Sequence, residues 1–326
     1  MKIILTGATG FLGGWLIPRF LDKSFELIVF RNSKTKFNYQ SDSQYIIKNY
    51  NKFCREEVLN LLDYTEVEKL IKEIKPDVVI HMAAVGDITL TKENPKYTYE
   101  ASSNSTLNLL ESIRLHSQNT LFLSHTTDKV YGNNIVPFKE DMKLNPSHIY
   151  EAAKISQEYL TKIYAETYGV RSAIIRCGNY FGGYDFNFNR IIPYVVKSVI
   201  DSKKIQLRSD GTFTRDFLYI KDAVLINDLL INRMSDSNKS FQYGSAFNFS
   251  LEVQISVVEI VKMILKLCKS DNEIEIVSNA TRETKDMFLN CDKARKELNW
   301  KPKYSLQDGL LETIQFYKSY FSKKNL

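Results

Sequence analysis

Residues 2–13, Lys2-Ile3-Ile4-Leu5-Thr6-Gly7-Ala8-Thr9-Gly10-Phe11-Leu12-Gly13, decide the fold. A short apolar strand runs into three glycines spaced three apart and then into a helical segment over 11–22. Gly7 permits a tight turn, Gly10 lets the backbone approach a ligand's phosphates, and Gly13 lets the helix lie against the sheet. The N–H groups at the helix start carry partial positive charge and face an anion. Strand, glycine turn and helix in this order predict a dinucleotide-binding turn, with Gly7, Thr9, Gly10, Phe11, Leu12 and Gly13 as candidate contacts. Pro18 lacks an N–H and crowds the carbonyl of Gly14, so the helix is expected to kink or end there.

The strand-helix rhythm continues outward from that turn. Strands are predicted over 26–30, 57–60, 77–81, 120–124 and 171–176, with helices over 65–74, 97–116 and 149–167. The run DVVIH at 77–81 is apolar enough to be buried on both faces of a parallel sheet. After residue 178 the alternation gives way to short apolar runs, aromatic-rich turns and two late helices, 255–268 and 292–298. The pattern predicts an α/β fold: a Rossmann-type doubly wound parallel sheet with a smaller C-terminal α+β substrate-binding lobe. Residues 1–178, taking in 216–250 as well, form the expected NAD(P)-binding domain, and 179–326 mainly the lobe over the sheet's carboxyl edge.

Composition narrows the function classes. A net charge of +6 is spread among intermixed acidic and basic residues, unlike the clustered Lys and Arg of a nucleic-acid binder. It suits a phosphorylated small molecule instead. The N-terminus superficially resembles a signal peptide, but its apolar stretch is interrupted at Gly7, Gly10 and Gly13. No apolar run approaches the ~18 residues of a membrane span, so a cytoplasmic protein without membrane partners is expected. Cys54, Cys177, Cys268 and Cys291 are scattered, as reduced thiols would be, and the four histidines are equally dispersed, so no metal site is expected.

Three further segments carry chemistry. The second strand ends Val29-Phe30-Arg31-Asn32 without an acidic residue. Arg31 could accept a 2′-phosphate and select NADP, or Asn32 could bond the ribose of NAD. Tyr150 and Lys154 lie four apart, on one helix face. A neighbouring ammonium favours phenolate over phenol, which would lower the Tyr150 pKa and make it a base for a hydroxyl proton. The third segment, Ser124-His125-Thr126-Thr127-Asp128-Lys129-Val130-Tyr131-Gly132, follows a central strand, where a catalytic hydroxyl would face Tyr150. A polar loop is the plain alternative.

GATGFLG, YEAAK and TTDKVYG together resemble the NAD-dependent epimerase/dehydratase family of extended short-chain dehydrogenases, whose glycine spacing is also GxxGxxG. The likeness extends through HMAA at 81–84, RCGNYFGG at 176–183, GTFTRDFLYIKD at 211–222 and ARKELNWKPKYSLQDGL at 294–310. Thr127-Asp128-Lys129 is similar to the version found in nucleotide-sugar 4,6-dehydratases, and the segments around 179–193 and 205–224 resemble CDP-glucose enzymes most. The resemblance implies a 4,6-dehydration of a nucleotide-diphosphate hexose. Tyr150 takes the O4 proton, Thr127 bonds the same oxygen and Lys154 holds the cofactor ribose. Asp128 protonates the departing C6 hydroxyl, and Lys129 is the C5 base if a neutral amine is accessible. The hydride taken from C4 returns to C6, which favours a permanently bound NAD. The resemblance also implies cofactor contacts at Asn60, Leu61, Ala83 and Ala84, and substrate contacts at Asn179, Arg190, Arg215 and Arg282. Asn60 replaces a usual Asp, and Ser102 and Ser105 replace a usual Asn and Gly. A homodimer through 97–116 and 149–167 is implied too. A C4 epimerase or 4-ketoreductase keeps the fold without needing Asp128 and Lys129, and a non-catalytic NAD(P)-binding protein commonly lacks the Tyr or Lys.

Overall fold

The structure is a computed structural model that describes residues 1–32, 43–86, 88–277 and 284–324. The expected substrate residue Arg282, and Lys34 and Lys36 after the second strand, lie outside the described residues. In chain order the first half comprises β1 (Lys2–Thr6), α1 (Phe11–Leu21), β2 (Glu26–Arg31), α2 (Gln44–Ile47), β3 (Arg55–Val58), α3 (Tyr64–Ile74) and β4 (Val78–His81). α4 (Ile88–Glu93), α5 (Pro95–His116), β5 (Leu121–His125), α6 (Ile149–Tyr168) and β6 (Arg171–Cys177) follow. The second half holds β7 (Asn179–Phe181), α7 (Ile191–Ile200), β8 (Ile205–Leu207), β9 (Thr214–Arg215), β10 (Phe217–Tyr219) and α8 (Ile220–Ser235). It closes with β11 (Ser245–Phe249), β12 (Ile255–Ser256), α9 (Val257–Cys268), β13 (Ile274–Ile276), α10 (Asp292–Leu298) and α11 (Leu306–Lys324).

Seven strands form one sheet in the order β11-β6-β5-β4-β1-β2-β3, parallel throughout. This is a Rossmann-type doubly wound α/β sheet, as expected. Side chains alternate between the two faces, and both faces are covered. Ile3 and Leu5 join one apolar cluster while Ile4 joins the other, all fully buried. Each such side chain contributes roughly 1.5–3 kcal/mol by leaving water, which explains why the strands read as continuous apolar runs. The strand order reverses between β1 and β4, and the carboxyl ends of these two strands are tied through His81. Thr6 Oγ accepts the N–H groups of Met82 (3.1 Å) and Ala83 (3.2 Å), so its own proton goes to His81 Nδ1 at 2.8 Å. His81 Nε2 then donates to Thr106 at 3.0 Å, and Thr106 donates onward to the carbonyl of Ser102. Complete burial holds His81 neutral, its pKa down to about 3.

Several expectations change in detail. α1 does not stop at Pro18; it runs to Leu21, because Ile17 and Phe20 are fully buried and hold the last turn against the sheet. The third strand sits two residues earlier than 57–60, since pairing with β2 sets Arg31 opposite Val58 and leaves Asn60 and Leu61 free to turn across the sheet end. The second half is also richer in helix than expected. α7, α8 and α11 join the two late helices, and β11 extends the large sheet past β6. The remaining short strands pair off as β7 with β10, β9 with β12 and β8 with β13, making a small α+β lobe over the sheet's carboxyl edge. Trp15 Nε1 on α1 bonds the carbonyl of Gly183 at 2.9 Å and fastens the lobe to the sheet domain, while within the lobe Tyr317 on α11 bonds the carbonyl of Asp185.

Candidate active site

Two cavities open at the carboxyl edge where the strand order reverses. The first, about 370 Å³, is walled by Gly7, Thr9, Gly10, Phe11, Arg31, Asn32, Asn60, Leu61, Ala83 and Ala84 with parts of α5 and of the 184–190 loop. Its floor is backbone. Gly7 has φ +72°, and a Cβ there would stand 2.9 Å from the backbone nitrogen of Ala83. Gly10 caps α1, whose first-turn N–H groups open onto the cavity. Such a wall fits the pyrophosphate of a dinucleotide, because bare N–H groups and a helix start can approach it with no side chain between. Asn60 turns its side chain back on its own loop, its Oδ1 accepting from Leu62 N at 3.2 Å, while Asn108 on α5 holds the carbonyl of Leu61 at 2.8 Å.

Leu12 and Gly13 are not in the wall of the first cavity. They face inward: a Cβ on Gly13 would lie 2.4 Å from Ala8 Cα and 2.6 Å from the carbonyl of Gly7. Gly13 therefore serves helix-to-turn packing.

The second cavity, about 560 Å³, is walled by Thr127, Asp128, Lys129, Tyr150, Asn179 and Arg190, and also by Cys177, Tyr180 and Arg208. Three elements deliver the first four. β5 ends at His125, a single 3-10 turn over 128–131 follows it, and Tyr150 opens α6. Thr127 caps the turn: its hydroxyl accepts from Lys129 N at 3.2 Å and lies 3.1 Å from Asp128 Oδ1 as donor. Asp128 is 2 % exposed, and its Oδ2 has no hydrogen-bond partner among the described residues. Burial raises its pKa to about 6, against the opposing charges of Lys129 and Arg215. A carboxyl so placed holds its proton close to neutrality and can give it up.

Tyr150 departs from expectation. Its pKa is raised to about 12, chiefly by burial and secondly by Asp128, and Lys154 does not pull it down. The cause is the direction Lys154 takes: Nζ donates to the carbonyl of His125 and to Gln157 Oε1, both at 2.9 Å, and the residue lines neither cavity. Burial lowers the Lys154 pKa to about 7. Arg190 stands in the walls of both cavities, its Nη1 3.0 Å from the buried carboxylate of Asp185. Arg215 belongs to neither wall among the described residues. On β9, paired to β12, its Nη1 is engaged by the carbonyls of Thr214 (2.8 Å), Thr284 (3.1 Å) and Lys285 (3.0 Å).

Beneath the Thr127–Lys129 turn lies a buried ion pair that sequence reasoning missed. Arg176 on β6 grips Glu158 on α6 through Nε and Nη2, and its Nη1 bonds the hydroxyl of Tyr131 at 2.8 Å. Glu158 also accepts from Thr126 at 2.6 Å. The pair locks α6, β6 and the turn into one register. An arginine directly after the apolar run AII at 173–175 was the available signal.

The family described as GDP-mannose 4,6 dehydratase matches residues 4–313. A dTDP-glucose 4,6-dehydratase of Salmonella typhimurium is 25% identical over 97% of this chain and 92% of its own length. Among solved structures, the dTDP-glucose 4,6-dehydratase of Bacillus anthracis in complex with NAD is 25% identical with a TM-score of 0.83, covering 98% of this chain and 97% of that one. The UDP-glucose 4-epimerase of Thermotoga maritima, with UDP-glucose, reaches a TM-score of 0.86 at 22% identity, over 98% and 100% of the two chains. Among the described residues no helix is long and apolar enough to cross a membrane, and no cluster of potential ligands could hold a metal ion.

Proposed function

The chain belongs to the GDP-mannose 4,6 dehydratase family, an enzyme family of nucleotide-sugar dehydratases and epimerases, and on that premise we propose that it is an NAD-dependent nucleotide-sugar 4,6-dehydratase. The product is the 4-keto-6-deoxy sugar. The observation that carries this is Asp128, a buried carboxyl with a pKa near 6, sharing one cavity with Lys129 and Tyr150.

Bound NAD, cradled by Gly7, Gly10 and the Ala83-Ala84 strand end, would supply the hydride acceptor for C4 and the donor for C6. The protein's own groups move the protons. Tyr150 takes the O4 proton; a phenol whose pKa is raised is a strong base once ionised, and Thr127 bonds the same oxygen. Lys129 takes the C5 proton made acidic by the neighbouring ketone. Asp128 gives its proton to the C6 hydroxyl, which leaves as water, and Lys129 hands a proton back to C5. Lys154 is assigned the cofactor ribose. Asn179 and Arg190 are assigned the diphosphate, with Arg215 and Arg282 as further contacts on the ground of family resemblance. CDP-glucose is the favoured substrate by resemblance of the substrate loops, and dTDP-glucose, on which the similar dehydratases act, is the competing one. Apolar side chains on the outer faces of α5 and α6, Leu107, Leu115, Tyr159 and Ile163, support a homodimer through those helices.

Incubation with CDP-, dTDP-, UDP- and GDP-hexoses, without added cofactor, is the test: mass spectrometry should show loss of one water from one of them. The fold likeness to an epimerase keeps a second reading, a C4 epimerase or 4-ketoreductase, which conserves the C6 hydroxyl. Lys129→Ala separates the two. Full turnover with the C6 hydroxyl retained in the product would favour the epimerase; loss of dehydration favours the proposal.

A further inference from the structure

The second strand lacks the acidic residue that selects NAD over NADP in this fold, and offers Arg31 in its place. Structure answers where that acid went. Residues 29 and 31 of β2 point to one face, and β3 places Glu56 directly opposite Val29, so Glu56 and Arg31 are diagonal neighbours across the strand pair. Arg31 Nε donates to Glu56 Oε1 at 2.9 Å. Tyr45, buried at the start of α2, donates its hydroxyl to the other oxygen, Oε2, at 2.6 Å. Both bonds favour the charged carboxylate and hold Glu56 below its usual pKa in spite of partial burial, while the same contact and burial push the Tyr45 phenol far up. Arg31 is in the wall of the first cavity, next to Asn32, and Glu56 stands behind it.

We propose that Glu56, reaching from the neighbouring strand, is the residue that excludes NADP, by neutralising Arg31, the guanidinium at this strand end that would otherwise receive the 2′-phosphate. An arginine at this strand end attracts a phosphate dianion only while its charge is uncompensated. Paired with Glu56, the wall is close to neutral and tolerates a ribose hydroxyl, while a second phosphate finds no uncompensated cation there among the described residues. Tyr45 contributes by fixing the carboxylate: with both its oxygens held, Glu56 cannot swing away to let Arg31 fork a phosphate. This is a specificity residue on β3, two residues beyond Cys54 and within an ordinary charged stretch, REEV, so no pattern along β2 reveals it.

The inference rests on the cofactor being a nicotinamide dinucleotide, as proposed above, and its test separates the two. Purified protein is denatured and the cofactor it carries is identified by mass spectrometry, then NADH and NADPH are titrated by fluorescence onto protein freed of it. Wild type should carry NAD and bind NADH at least 10-fold more tightly than NADPH. Glu56→Gln keeps the shape and removes the charge; it should tighten NADPH at least 10-fold with NADH little changed. The double variant Arg31→Ala/Glu56→Gln should lose that gain, because the freed guanidinium is its source. Tyr45→Phe should give a smaller shift in the same direction. An unaltered NADH-to-NADPH ratio in folded Glu56→Gln, or a wild type that prefers NADPH, overturns the inference. Failure of wild type to bind either nucleotide would instead overturn the cofactor assignment beneath it.

Discussion

The two cavities are neighbours built from opposite materials. The first is made of backbone, glycines and alanines at the ends of β1 and β4, and its character lies in what is missing from the side chains. The second is made of a carboxyl and an amine from one turn, a phenol from the start of α6 and guanidinium groups from other segments. The difference teaches where each is fragile. In the backbone cavity an added methyl group does the damage, whereas in the side-chain cavity a change of one atom removes a proton donor or acceptor and leaves the shape intact.

The largest expected effect is on that chemistry. Asp128→Asn and Tyr150→Phe should each lower turnover by about 10²–10⁴-fold, the usual worth of a positioned acid or base, with thermal unfolding little changed. A loss under 10-fold in both would break the comparison, since the cavity's side chains would then be incidental.

A second expectation concerns pH and stability. The Asp128 pKa rises from 3.8 in the unfolded chain to about 6 in the folded one, so between these values the native state holds a proton that the unfolded state has released. Wild type therefore loses stability as pH climbs through this window, by about 3 kcal/mol at most. His81 and His125, depressed to about 3 and 4 by burial, act oppositely, costing stability as pH falls below their unfolded value. They are common to wild type and variant, so Asp128→Asn isolates the carboxyl. Denaturant titrations of both proteins from pH 4 to 7 should show the variant gaining on wild type as pH rises; parallel curves would refute a buried, proton-holding Asp128.

The smallest effect sharpens the other side. Gly13→Ala places a methyl group against the backbone of Ala8 and Gly7, and overpacking of this kind costs about 1–3 kcal/mol. Calorimetry should show a lower unfolding temperature, with cofactor retention falling alongside it because the turn must shift. Unchanged stability would mean that α1 can back away from the sheet.

Legibility differed along the chain for physical reasons. Strand-helix alternation is readable in the first half because each buried parallel strand must be apolar on both faces and each helix on one. In the second half β11 carries Asn248 as its fourth of five residues, SAFNF, bonded to Tyr131, Phe138 and Asn290, so the strand shows no clean apolar run. α11 is equally hard to see, its aromatic residues packing on Tyr184, Phe186 and Phe188 of a distant loop rather than forming a regular stripe. At the candidate site, 127–129 and Tyr150 meet in one cavity as their placement after a strand and at a helix start suggested. Lys154 is expected from its spacing to Tyr150 and Arg215 from the family resemblance, but each is drawn to backbone carbonyls that only the fold brings near.

By itself the sequence determined the Rossmann-type sheet, the glycine turn and which residue types stand ready at the strand ends, because periodicity and backbone sterics act over a few neighbouring residues. Tertiary structure decided the charges. The proton held by Asp128, the buried grip of Arg176 on Glu158 and the pairing of Arg31 with Glu56 all depend on desolvation and on partners 18 to 25 residues away or more. Electrostatic energies follow distance through space and the water excluded between groups, and neither quantity is written along a chain.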